Sequence, residues 1–128
     1  MTHILVADDD SIFGSNLSEI LKRKGFKIQI AQTMLEALEK ASQKRFDVIL
    51  LDQLMPGAAK AMTLTQLREM DQSIKIISMT ASPKVINGCI ENRIKPDAVI
   101  AKPFVIGHLL KEIEGVLAWS QTDKARVA

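Results

Sequence analysis

DVILLD, residues Asp47–Asp52, sets four consecutive apolar side chains, Val48, Ile49, Leu50 and Leu51, between two carboxylates. The run has strand length, and its β-branched residues favour a pleated backbone. Because the apolar residues do not alternate with polar ones, the strand expected over Asp47–Leu51 has both faces covered, as in a parallel sheet. The same reading extends outward to HILVA (His3–Ala7), IKIISM (Ile74–Met79) and DAVIA (Asp97–Ala101). KIQIA (Lys27–Ala31) instead alternates, with Ile28 and Ile30 facing one way, and is expected at a sheet edge.

Longer stretches with helical spacing lie between these runs. Phe13, Leu17, Ile20 and Leu21 form one stripe, ended by Gly25; Met34, Ala37, Leu38 and Ala41 form a second, with Thr33 as its N-cap. Leu64 and Leu67 mark a third helix. Val85, Ile86, Cys89 and Ile90 mark a fourth, weakened by Asn87 and Gly88. Ile106, Leu109, Leu110, Ile113, Val116 and Leu117 form the clearest stripe. The order is βα repeated five times. It predicts an α/β fold, an open, doubly wound, parallel five-stranded sheet with helices on both faces. At 128 residues the chain is too short for an eight-stranded barrel. One domain is expected over residues 1–119, with Trp119 as a lid on the end of the core and the polar residues 120–128 as a fraying tail.

Composition excludes several classes. The net charge of +2, from 17 basic and 15 acidic residues, argues against nucleic-acid binding by bulk charge. Lys22, Arg23 and Lys24 read as the polar end of a helix. No apolar run is long enough to span a bilayer, and the first residues do not read as a secretory signal. The single cysteine, Cys89, cannot form an internal disulfide and falls in an apolar stripe. A cytoplasmic location is the expectation. His3 and His108 have no second partner at metal-ligand spacing, and the six methionines read as core filler.

The chemistry-bearing side chains share one feature. Asp8 and Asp9 follow the first strand, Asp52 the third, Thr80 the fourth and Lys102 the fifth. All five are thus expected at the carboxyl edge of the sheet, where open α/β folds bind ligands. Converging carboxylates repel one another, and a hard divalent cation such as Mg²⁺ relieves the repulsion through oxygen ligands. An ammonium and a hydroxyl beside them suit a phosphoryl group, and one carboxylate would be the nucleophile. Asp10 and Ser11 read as turn or cap residues.

ILVADDD, VILLDQLMP, IISMTAS and VIAKPF, in this order, resemble the receiver domain of two-component response regulators, over about residues 2–119. The resemblance implies a flavodoxin-like fold and Mg²⁺-dependent phosphorylation of Asp52 by a sensor histidine kinase or histidine phosphotransfer protein. A protein-binding surface would then switch toward a downstream target. It assigns Asp8 and Asp9 to the metal, Asp9 more directly, together with Asp52 and the backbone carbonyl of Leu54. Thr80 and Lys102 would contact the phosphoryl group, and Lys102–Pro103 would be cis. Such a domain is not a conventional enzyme, beyond self-catalysed phosphotransfer and autodephosphorylation. A phosphohydrolase would need a second acid where Leu54 stands. A phosphorylation-independent interaction module is the alternative. The chain departs from the family after Pro56, where it reads GAAKAM, and at Val99, where many relatives carry an aromatic ring that swings inward. The switching response is accordingly expected over Ala81–Arg93. No effector segment is recognisable, so output would pass through a bound protein, unless the chain is part of a longer regulator.

Overall fold

The computed structural model describes residues 2–52, 55, 60–80 and 96–127. Leu54, residues 57–59 of the GAAKAM segment, the expected helix around Val85–Ile90 and the side chain of Trp119 lie outside the described residues. The elements are β1 (His3–Ala7), α1 (Ser11–Arg23), β2 (Lys27–Ala31), α2 (Met34–Gln43), β3 (Val48–Asp52), α3 (Lys60–Met70), β4 (Lys75–Thr80), β5 (Ala98–Ala101) and α4 (Ile106–Val127). The five strands form one sheet in the order β2-β1-β3-β4-β5, every pairing parallel. This is the flavodoxin-like order, whose direction of winding reverses between β1 and β3.

The unbroken apolar runs are explained by two cores. Side chains alternate across a strand. Leu5, Ala7, Ile49, Leu51 and Ile76 therefore face one side, where Met34 and Ala37 of α2 and Leu64 and Leu67 of α3 cover them. Ile4, Val6, Val48, Leu50, Ile77 and Met79 face the other, where Leu17 and Leu21 of α1 and Leu109, Ile113 and Val116 of α4 cover them. All of these residues are buried. At about 1.5–3 kcal/mol per large side chain, the central strands supply the main favourable term in folding.

Local signals set the helix limits. Asp10 caps α1, its carboxylate accepting from Phe13 N at 3.0 Å, and Thr33 caps α2 through Glu36 N at 3.0 Å. β2 is an edge strand, as its alternation predicts. β5 differs from expectation. Among the described residues it forms the other edge, with Ile100 buried but Val99 and Ala101 exposed. An apolar run does not by itself distinguish a half-covered strand from a central one. Helix α4 continues to Val127. Residues 120–127 contain no Gly or Pro to stop a helix. Among the described residues, no helix is long and apolar enough to cross a membrane.

Candidate functional site

Parallel strands place their carboxyl ends along one edge, so residues distant in sequence meet there. Asp8 follows β1. Asp52 is the last residue of β3 and Thr80 the last of β4, each within its strand rather than just beyond it. Asp8 and Asp52 thus flank the reversal between β1 and β3. In the β3–β4 register Asp52 pairs with Met79, which puts Thr80 one residue past that level. Lys102 follows β5, and its backbone N–H donates to Thr80 O at 2.7 Å, joining the two strand ends.

The three carboxylates converge. Asp8, Asp9 and Asp52 each offer an oxygen, all within 4.8 Å of one another. Asp8 is fully buried, Asp52 nearly so and Asp9 exposed, which gives the cluster two inner carboxylates and one facing solvent. Both inner positions are tied down. Asp8 N donates to Ala31 O at 2.9 Å; Asp8 Oδ1 accepts from Asp10 N at 2.9 Å and Oδ2 from Lys102 Nζ at 2.5 Å. Lys102 Nζ also stands 3.7 Å from Asp52 Oδ2. Thr80 is fully buried.

Among the described residues, one ammonium, that of Lys102, pairs with Asp8 and Asp52 in a cluster of three carboxylates, so negative charge is in excess there. Two unit charges about 5 Å apart near a protein surface repel by roughly 3 kcal/mol. The donors are all hard oxygens, and their spread suits a divalent cation that retains several waters, as Mg²⁺ does. Clefts of about 460 Å³, lined by Lys75, Asp97 and Glu112, and about 580 Å³, between the ends of α2 and α3, contain none of these residues. A phosphoryl group needs charge and geometry here more than volume.

Sequence reasoning placed Asp8, Asp9, Asp52, Thr80 and Lys102 at this edge, and the structure brings them together. It did not anticipate Phe13, read only as part of the α1 stripe. The Phe13 ring lies under Lys102 Nζ, 4.2 Å from its centroid. Phe104 meets that ring edge-on, at 5.9 Å between centroids and 85° between planes. No local spacing signals this contact, which exists only once α1 and the segment after β5 are packed. The Lys102–Pro103 bond is cis, as the resemblance implied.

Comparison with known proteins agrees with this geometry. A family model described as "Response regulator receiver domain" matches residues 4–114. The transcriptional regulatory protein PrrA of Mycobacterium tuberculosis is 32% identical over 114 residues, covering 89% of this chain and 49% of that protein. The chain thus spans about half the length of the curated relatives it matches. Among solved structures, a CheY-like receiver domain protein from Methanospirillum hungatei superposes with a TM-score of 0.87 at 26% identity, covering 96% of this chain and 98% of that one. TrrA from Thermotoga maritima, solved in complex with Mg(2+)-BeF, gives 0.80 at 28% identity, covering 91% and 99%.

Proposed function

Since the chain belongs to the response regulator receiver domain family, we propose that it is phosphorylated on Asp52, with Mg²⁺, by a sensor histidine kinase or histidine phosphotransfer protein. The observation that carries the proposal is the convergence of Asp8, Asp9 and Asp52, with Lys102 against Asp8 and Asp52, at the winding reversal of the sheet. An Asp52 carboxylate oxygen attacks phosphorus, an O–P bond forms, and the donor's bond to phosphorus breaks. Asp8, Asp9 and Asp52 would hold Mg²⁺, with the Leu54 carbonyl added by the family resemblance, and the ion would supply positive charge for the carboxylates and the phosphoryl oxygens. Lys102 pairs with a phosphoryl oxygen, and the Thr80 hydroxyl donates to another. The phosphorylated surface then binds a downstream protein, without nucleic-acid or membrane contact by this domain, in the cytoplasm. The lysine and threonine serve Asp52's own chemistry, so the domain turns over no separate substrate.

Incubation with Mg²⁺ and acetyl phosphate tests this reading. The expected result is a mass gain of one phosphoryl group that is acid-labile and absent from Asp52→Asn. Equal, similarly labile labelling of that variant would overturn the assignment. No labelling of the unsubstituted chain would favour a phosphorylation-independent interaction module.

A further inference from the structure

We propose that Phe13 is a positioning residue for phosphotransfer, which holds the Lys102 ammonium in the crevice through its ring face. The inference rests on the reading of Lys102 as the group that meets the phosphoryl oxygens, and it names what keeps that group in place.

Lysine carries its charge on a flexible four-carbon stem, so one ion pair does not fix it. Lys102 begins beyond an edge strand and is partly exposed, with a side-chain exposure of 21%. Its ammonium nevertheless has defined neighbours on three sides. Asp8 lies at 2.5 Å, Asp52 at 3.7 Å, and the centroid of the Phe13 ring at 4.2 Å. An aromatic face attracts a cation and accepts no proton, so Phe13 restrains Lys102 without competing for its hydrogen bonds. When a phosphoryl group arrives, the ammonium must shift its pairing from carboxylate to phosphoryl oxygen. A contact with no directional hydrogen bond permits that small movement and opposes escape into solvent.

The ring is itself held in place. Phe13 N donates to the carboxylate of Asp10, the N-cap of α1, at 3.0 Å. The acidic run that supplies Asp8 and Asp9 therefore also sets the start of the helix carrying Phe13. Phe104, two residues beyond Lys102, braces the ring edge-on. Phe13 and Phe104 both pack on the core shared by α1 and α4. The lysine's restraint is thus built into the core, and its position depends on how α1 meets the segment after β5.

The test combines two measurements. In side-chain NMR, the ε-methylene protons of Lys102 should show an upfield ring-current shift that Phe13→Leu removes and Phe13→Tyr retains. In Mg²⁺-dependent labelling by acetyl phosphate, Phe13→Leu should slow the reaction about fivefold, the size of a partly exposed cation–π contact, and Phe13→Tyr should restore it. In the Lys102→Ala background, Phe13→Leu should cause no further loss. Phe13→Met replaces Phe13→Leu if the latter melts below the assay temperature. An absent ring-current shift would overturn the proposal and leave the Asp52 assignment intact. So would equal slowing by Phe13→Leu with or without Lys102, since the effect would then pass through the fold. If Lys102→Ala is labelled at the full rate, the reading of Lys102 fails, and the positioning role fails with it.

Discussion

Asp8 and Asp9 are adjacent in sequence and differ sharply in environment. Asp8 is buried, with one oxygen on Asp10 N and the other on Lys102. Asp9 is exposed, at the rim of the same cluster. Asp9→Asn removes a repelling charge without opening a buried site, so the metal-free melting temperature should rise by a few degrees. The same change should weaken Mg²⁺ binding about tenfold, since a carboxylate leaves a cluster of hard donors. Calorimetric titration of Mg²⁺ into both proteins checks this; equal affinities would remove Asp9 from the ligand set. The five polar residues were legible because each closes a strand, and strand ends follow from apolar runs. The Phe13–Lys102 contact was not legible, because no local pattern links the start of the first helix to the residue after the last strand.

At the scale of elements, local signals mark most boundaries. Helix α1 ends at Arg23 with Lys24 as its C-cap, after which Gly25 takes φ 100°, a region that favours glycine. Gly25 N donates to Lys22 O at 3.0 Å and Phe26 N to Leu21 O at 3.2 Å, a Schellman closure with Phe26 and Leu21 in the same core. A β-carbon at Gly25 would meet nothing within 4 Å, so the cost of Gly25→Ala is one of backbone conformation alone. It should lower stability by about 1 kcal/mol, read from urea unfolding at unchanged m-value. The turn from α3 into β4 depends on a charge. Burial raises the Asp71 carboxyl, but donation from Ser73 Oγ at 2.6 Å and Ser73 N at 2.9 Å, with the Arg45 guanidinium at 3.3 Å, outweighs this and holds it below its ordinary 3.8. A carboxyl lowered in the folded state contributes stability above its unfolded pKa, and that stability is lost as pH falls through the folded value. Wild type should therefore exceed Asp71→Asn in stability at neutral pH, with the gap closing below 3.8. A gap unchanged across that range in urea titrations would show that the carboxylate charge is not what holds the turn. The sequence could not supply the burial of β5 or the end of α4. An apolar run does not say whether both of its faces are covered, and a polar helix end looks like a tail.

At the scale of the molecule, folding and charge oppose each other at one place. Asp8 comes from β1, Asp52 from β3 and Lys102 from the segment after β5, so only the completed sheet brings them together. In the unfolded chain the three carboxylates are separated by solvent and flexible backbone. In the folded chain their oxygens lie within 4.8 Å of one another, with Lys102 offsetting part of the repulsion. A cation that binds this cluster binds the native state and scarcely the unfolded one, so it must stabilise the fold by mass action. At ten times its dissociation constant, Mg²⁺ should add about 1.4 kcal/mol, or roughly 5 °C in melting temperature for a domain of this size. Asp52→Asn should melt higher than wild type without metal, since it removes one of the repelling charges, and should gain less from Mg²⁺. Thermal melts across a MgCl₂ series, matched in ionic strength with NaCl, separate specific binding from screening. If the two salts raise the melting temperature equally, the cluster does not bind the ion, and the carboxylates persist for another reason.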